Sequence, residues 1–193
     1  MVSVGDRVKE AIDWMARGNL AQALSSVSIA LDMTAQRHAG TDRSGHAIRK
    51  RFIQDYLWLI AHLGFPGGIS PTASDPFADH NVKAGAAGTV GAEEIIDHVV
   101  RCGLSRSDGK PSKVAWKKAI ALGRDEGGNL VLNEGLIWGL VSAVVFAPVN
   151  RSESVPEEYW LQVGQFRMFI SELWGRVDLA KRIVKFHTGL EVP

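Results

Sequence analysis

The amino-acid sequence predicts one mainly α-helical domain over residues 1–193. Three observations favour this fold class. Apolar side chains recur at helical spacing in most of the chain. Glycine or proline follows most of these periodic segments, as is typical of helix ends. The segment GLIWGLVSAVVFA at residues 135–147 has almost no polar side chain, so we expect it to form the central core helix.

Two amphipathic helices are predicted at the start of the chain. The first spans residues 6–17 and stops at Gly18. The second spans residues 19–38, with Asn19 as its N-cap, and ends at Gly40. Helical spacing predicts their buried stripes, which are Val8, Ile12 and Met15 in the first helix and Leu20, Leu24, Val27 and Leu31 in the second.

The rest of the helical prediction follows from the same signals. A third helix is expected at residues 44–62, with Phe52, Tyr56, Leu59 and Leu63 turned inward and Gly64 behind it. A further helix is expected in AEEIIDHVV, because its first turn is acidic. The central helix is predicted to be capped by Asn133. Two more helices are predicted, one after Pro156 over residues 157–175 and a short one from Asp178 to about His187.

Two segments interrupt the helical pattern. Residues 65–91 are rich in glycine, alanine and proline and predict a long loop, a kind of segment that often carries function. In residues 113–132, the alternation in KVAWKKAIAL and the turn sequence DEGGN before NLVL predict a small β-hairpin. A helix fits the first half of that segment nearly as well, so both alternatives stay open there.

The overall composition excludes several classes of protein. The net charge of +1 indicates neither a nucleic-acid nor a membrane partner. The single cysteine, Cys102, cannot form a disulfide within the chain. The N-terminal residues lack the apolar core of a signal peptide. The most apolar segment ends at Pro148 and is shorter than the roughly 20 residues that a membrane span needs. We therefore expect a cytoplasmic protein without a membrane partner.

Familiar catalytic and cofactor motifs are missing from the sequence. It contains no phosphate-binding glycine loop, no dinucleotide fingerprint and no G-x-S-x-G turn, and its histidines lack the spacing of a zinc helix. We expect no cofactor and no metal. Asp75, Asp79 and His80 lie close together in the long loop, but such residues in a turn are more often solvated than bound to a metal.

Local charge is the remaining signal. Between Arg101 and Arg124 the chain carries seven cations against one acid, Asp108. Between Arg37 and Arg51 it carries five cations, with two histidines, against Asp42. Such basic segments can bind phosphate groups. The alternative is that they are solvated faces whose aliphatic stems cover the core.

The order of the helical segments resembles the HEPN superfamily of bacterial helical proteins. The similarity runs over roughly residues 20–150, through ALSSVSIALDMTA, RKRFIQDYLWLI, EEIIDHVVRCGLSRSDG and NLVLNEGLIWGLVSAVVFAPVN. The resemblance implies a HEPN-like helical bundle that pairs as a homodimer. It also implies a metal-independent ribonuclease, of the kind found in toxin–antitoxin and antiviral systems. The family motif is an arginine followed, after four to six residues, by a histidine.

The motif is incomplete in this sequence. Arg101 stands at the arginine position, but Arg106 occupies the position of the expected histidine. Histidine exchanges a proton near neutral pH, whereas arginine keeps its proton and can only stabilise charge on a phosphate. His98, one helical turn before Arg101, is a candidate for the missing imidazole, but a histidine on a helix flank more often has no catalytic role. Arg182 and His187 have the motif spacing but lie outside its predicted context.

Two functions of different classes follow from these observations. The first is an RNA-associated protein with weak or absent ribonuclease activity, in which Arg101, Arg106 and His98 form the candidate catalytic set. The same loop region would then bind nucleic acid through Lys110, Lys113, Lys117 and Lys118. The second is a non-catalytic, antitoxin-like or structural module that binds a cognate protein partner. Binding of a nucleotide phosphate in the same cleft is a third alternative.

Overall fold

A computed structural model describes residues 2–43, 45–65, 91–104, 114–116, 123–124, 130–163 and 166–192. Within these ranges the chain is mainly helical, as the sequence predicts. The helices are α1 (Val4–Ala16), α2 (Leu20–Ala39), α3 (His46–Asp55), α4 (Leu57–Gly64), α5 (Ala92–Leu104), α6 (Gly135–Phe146) and α7 (Val177–Thr188). The strands are β1 (Val114–Trp116), β2 (Gly123–Arg124), β3 (Leu130–Leu132), β4 (Trp160–Val163) and β5 (Phe166–Phe169).

Capping interactions fix the ends of the first two helices. The Ser3 hydroxyl accepts a hydrogen bond from the Asp6 N–H, and the Asp6 carboxylate accepts one from the Ser3 N–H. Asn19 caps α2, as predicted, by accepting from the Gln22 N–H. Gly40 ends α2 with φ +63°, a left-handed conformation that glycine adopts without strain. The predicted bounds of these helices are therefore correct to within a few residues.

The core forms around α2 and α6. α2 packs against α1, α3, α5 and α6, and α6 packs against α2 and α4. All residues of α6 except Gly135 and Trp138 are buried, which confirms the predicted central helix. Burial of each large aliphatic side chain stabilises the fold by roughly 1.5–3 kcal/mol.

Glycines allow α4 and α6 to approach closely. A Cβ atom at Gly139 would lie 2.7 Å from the carbonyl oxygen of Ile60, a distance that real Cβ atoms do not adopt. Gly64 and Gly135 face each other in the same contact. The glycines in this pair of helices therefore permit the packing of their backbones.

The predicted third helix is divided in two. Tyr56, with φ −108° and ψ 9°, separates α3 from α4, so the helix expected over residues 44–62 is continuous only in part. The aromatic side chain of Tyr56 is nevertheless buried and stacks on Phe52, with ring centroids 4.6 Å apart. Both residues point inward as predicted, because the division preserves the buried face.

The helix predicted at residues 157–175 is wrong. The segment instead forms the antiparallel pair β4–β5, in which Trp160 is opposite Phe169 and Val163 is opposite Phe166, followed by a short 3₁₀ turn at Ile170–Glu172. Aromatic and β-branched residues favour strands, and glycine in a helix interior costs about 1 kcal/mol. Gly164 lies in the middle of this segment. The apolar spacing predicted a helix, whereas the residue types favour strands, and the structure has the strands.

A second small sheet lies within the segment predicted as a hairpin. Its strand order is β1-β3-β2. The pair β2–β3 is antiparallel, as in a hairpin. β1 also pairs with β3, with Val114 opposite Leu130, but the two strands run parallel and not antiparallel as the predicted hairpin requires. Most of the predicted loop at residues 65–91 lies outside the described residues. Of the helices in the described ranges, none is long and apolar enough to cross a membrane.

Candidate functional site

A buried carboxylate lies at the contact between α3 and α5. The side chain of Asp97, on α5, is fully buried, although its neighbours Ile96 and Val99 belong to the apolar core. Burial of an unpaired charge is strongly unfavourable, so a buried carboxylate must have partners. Among the described residues, Asp97 forms ion pairs with three side chains, two from α3 and one from α5 itself.

Arg49 is the structural partner of Asp97. Its Nε atom donates to Asp97 Oδ1 at 2.5 Å, and one terminal nitrogen donates to Asp32 Oδ1 at 2.7 Å. Burial alone lowers the pKa of Arg49, but the hydrogen bonds to Asp32 and Asp97 outweigh burial and raise it. Because only 9% of the Arg49 side chain is exposed, this cation joins α2, α3 and α5 rather than facing solvent.

His46, the first residue of α3, contacts the other oxygen of Asp97. Its Nδ1 atom lies 2.7 Å from Asp97 Oδ2, and 46% of the side chain is exposed. Because a carboxylate accepts hydrogen bonds, this geometry assigns the hydrogen to Nδ1. In the neutral ring Nε2 is then the proton acceptor, with Glu94 Oε1 at 3.8 Å from it. The arrangement is a histidine–carboxylate pair with an exposed ring edge.

Arg101 reaches the same carboxylate oxygen from one helical turn further along α5. Its Nε atom lies 3.5 Å from Asp97 Oδ2, and 48% of its side chain is exposed. Arg101 and His46 are therefore neighbours, joined through one atom. We call His46, Asp97 and Arg101 the His46 site.

Ion pairs surround the His46 site. Lys50 Nζ donates to Glu94 Oε2 at 2.5 Å, and this hydrogen bond is the main reason why the pKa of Lys50 is raised. Among the described residues, the ion pairs of the cluster join Arg49, Lys50 and Arg101 to Asp32, Glu94 and Asp97. Glu93 adds a further negative charge near Lys50.

A cavity of about 410 Å³ lies beside the start of α3 and the end of α2. Its lining includes His38, Ala47, Ile48 and Arg51. His38 Nε2 is 3.1 Å from Asp55 Oδ2, and the His38 ring meets Phe52 edge-on. The cavity therefore combines a cation and a fixed imidazole with an apolar wall.

Only some of the predicted site residues lie in the part of the chain that the structure describes. Arg101 lies near the end of α5, as the sequence predicts. His98 is half-buried on α5, directly after Asp97, but the imidazole that lies against Asp97 is that of His46. The remaining predicted residues, Arg106, Lys110, Lys113, Lys117 and Lys118, lie outside the described residues, as do Asp75, Asp79 and His80.

Carboxylates pair with several cations of the first basic segment. Arg37 contacts Glu153 and Asn150, in addition to the pairs already described for Arg49 and Lys50. These three cations therefore have carboxylate partners within the described residues, and both alternatives for the segment, phosphate binding and a solvated face, stay predictions. Arg182 and His187, which have the motif spacing, both lie on α7, outside the predicted context of the motif. There Arg182 pairs with Asp178, and His187 contacts His62.

Sequence reasoning missed His46 and Asp97 as members of the site. Asp97 had a detectable signal, since it interrupts the apolar face of α5 between Ile96 and Val99. His46 was noted only as part of a basic segment. In the described ranges, no three or more histidine, cysteine, aspartate or glutamate side chains are grouped so as to hold a metal ion.

Comparisons with known proteins identify relatives without an assigned activity. The chain is 39% identical over 57 residues to uncharacterized protein Rv1289 of Mycobacterium tuberculosis and, equally, to uncharacterized protein Mb1320 of Mycobacterium bovis. The match covers 30% of this chain and 27% of each relative's length. No solved structure matches. The Rv1289 family model matches residues 3–192, and the chain therefore belongs to the Rv1289 family.

Proposed function

We propose that the chain binds RNA at the His46 site and cleaves it without a metal ion. The observation that carries the proposal is the shared oxygen of Asp97, which lies 2.7 Å from the His46 imidazole and 3.5 Å from Arg101. One buried carboxylate thus holds a proton acceptor and a permanent cation, and both of these side chains are about half exposed. Cleavage of RNA by its own 2′-hydroxyl requires this pair of groups.

Each residue of the His46 site has a distinct role in the proposed reaction. Nε2 of His46 accepts the proton of the 2′-hydroxyl while the O2′–P bond forms. The P–O5′ bond then breaks, and the leaving O5′ takes a proton from the imidazolium. Asp97 keeps the hydrogen on Nδ1, which leaves Nε2 as the acceptor. Arg101 stabilises the negative charge on the non-bridging phosphate oxygens.

In the proposed site, His46 supplies the imidazole that the sequence lacks at position 106. The sequence argument for weak cleavage rested on the arginine at position 106 and considered only His98 as a replacement imidazole. In the proposed site the imidazole comes from α3 instead, and Arg106 contacts phosphate. Lys110, Lys113, Lys117 and Lys118 extend the binding surface as proposed from the sequence. Pairing of the chain as a homodimer, and a role in toxin–antitoxin or antiviral systems, rest on the HEPN resemblance alone.

A second candidate function has an observation in its favour. Four apolar side chains are exposed on β5 and on and after α7, namely Phe166, Phe169, Phe186 and Leu190. Phe166 and Phe186 are in contact, with ring centroids 6.1 Å apart, and we call this pair the aromatic patch. Contiguous exposed apolar surface often marks a protein-binding site. The patch supports the alternative of a non-catalytic module that binds a protein partner.

RNA binding and cleavage in the presence of a chelator distinguish the two functions. We expect the unmodified chain to bind RNA with an affinity that falls steeply as salt rises. Arg101→Ala should weaken both binding and cleavage, whereas His46→Gln should abolish cleavage and leave most of the binding. Arg182→Ala is the matched control, because Arg182 is exposed and lies on α7. A chain that neither binds nor cuts RNA contradicts the proposal and favours the protein-binding module.

A further inference from the structure

A second cavity, separate from the His46 site, lies between α1, the start of α6 and the start of β4. Its volume is about 480 Å³. Three aromatic side chains, Trp138, Tyr159 and Trp160, contribute to its wall, and all three are half-buried. Ile12 and Met15 of α1 add apolar surface. Most binding pockets have such a wall, with a few polar groups that select the ligand.

The polar groups of this cavity are carboxylates. Asp13, Glu134 and Glu158 line it. Asp13 is already satisfied, since Lys9 Nζ and the Tyr159 hydroxyl each donate to it at 2.6 Å. For Glu134 and Glu158, the part of the chain that the structure describes supplies no ion-pair partner. Within the described residues, two negative charges of the lining are therefore without a cationic partner.

The aromatic wall, like the carboxylates, favours a positively charged ligand. The faces of tryptophan and tyrosine rings attract cations, and tryptophan does so most strongly. Two of these rings already bind cations from the chain itself. The Arg167 guanidinium lies 4.0 Å from the centre of the Trp160 ring, and Lys9 Nζ lies 5.4 Å from that of Tyr159. Neither cation lines the cavity, so neither occupies the position of a ligand.

We infer that this cavity binds an aliphatic polyamine. The ammonium groups would face Glu134 and Glu158 and the aromatic rings, and the methylene chain would contact Ile12 and Met15. A metal cation fits the lining less well, because a hard ion prefers a shell of oxygen ligands to an apolar wall. An uncharged ligand would leave the two carboxylates without a partner. The inference is independent of the proposed RNA site, since the two sites share no residue.

Calorimetric titration of the chain with cadaverine, an aliphatic diamine, tests the inference. We expect saturable binding that changes the tryptophan fluorescence, with no comparable binding of the matching diol or of Mg²⁺. The double variant Glu134→Gln/Glu158→Gln should weaken cadaverine binding at least about tenfold. Glu157→Gln is the control, because Glu157 is exposed and does not line the cavity.

Three outcomes would overturn the inference. The first is an absence of cadaverine binding to the unmodified chain. The second is displacement of cadaverine by Mg²⁺ at equal concentration, which would indicate attraction to acidic surface only. The third is equal weakening by Glu157→Gln and by the double variant. Circular dichroism of each variant checks that it is folded, and the exposed position of Glu157 and Glu158 makes unfolding an unexpected result.

Discussion

His46 and Arg101 come from different helices and meet at a single atom. His46 Nδ1 lies 2.7 Å and Arg101 Nε lies 3.5 Å from Asp97 Oδ2, while the other oxygen of Asp97 accepts from Arg49. Asp97 is fully buried, but the two groups that it positions are about half exposed. A buried anchor thus presents a proton acceptor and a cation to the surface.

The first prediction concerns the stability that depends on Asp97. In Asp97→Asn, the buried guanidinium of Arg49 loses its ionic partner on α5. Removing one member of a buried ion pair destabilises a protein by about 3–5 kcal/mol. Urea unfolding should show a loss of this size. The exposed pair of Asp178 and Arg182 supplies the control, since Asp178→Asn should change the free energy of unfolding little. Equal stability of the two variants would show that Asp97 is not the anchor.

The second prediction concerns the contact between α4 and α6. A methyl group at Gly139 would meet the carbonyl oxygen of Ile60 at 2.7 Å, and backbone on both sides leaves little room to adjust. Gly139→Ala should therefore destabilise the chain by about 1–3 kcal/mol. Gly45→Ala serves as the matched control, because nothing lies within 4 Å of its added Cβ. Thermal unfolding of both variants measures the difference, and an unchanged Gly139→Ala variant contradicts the packing.

The third prediction is a dependence of stability on pH. Burial, and then the neighbouring His187, lower the pKa of His62 from the ordinary value of 6.5. The unfolded chain therefore binds this proton more tightly than the folded chain does. The contribution of His62 is complete above about pH 6.5 and is lost as the pH falls through the lowered pKa. His62→Gln should flatten the decline in unfolding free energy between neutral and mildly acidic pH. An unaltered slope would contradict the prediction.

The fourth prediction returns to position 106. Arg106→His places a histidine where the HEPN resemblance expects one and would supply a second group for proton transfer. If the resemblance is correct, cleavage without metal should rise by at least about tenfold, within the range that general acid–base catalysis provides. The increase should disappear when Arg101→Ala is added. A variant no faster than the unmodified chain would argue against the motif assignment.

The sequence was most informative where local pattern determines structure. The bounds of α1 and α2 follow from Gly18, Asn19, Gly40 and the periodic apolar residues between them, and α6 follows from an apolar run. The segment that contains Trp160 and Phe166 was predicted wrongly because helical spacing coincided with residue types that favour strands. Apolar periodicity alone does not distinguish a helix from a strand where spacing and residue types conflict.

The site was predictable only in part, because it is a tertiary contact. The position of Arg101 near the end of α5 follows from the apolar run before it and from Gly103 after it. The contact of His46 with Asp97 joins residues 51 positions apart, and nothing in the local pattern specifies it. The buried aspartate among apolar neighbours was the one available sign that α5 carries a polar network.

Chemical rescue of a His46 variant tests the central claim most directly. In His46→Ala, the proposed proton acceptor is lost while Arg101 and Asp97 remain. We predict that this variant does not cleave RNA in the presence of a chelator, and that added imidazole restores cleavage in proportion to its concentration. Cleavage by His46→Ala at the rate of the unmodified chain, with no response to imidazole, would contradict the account and remove His46 from the mechanism.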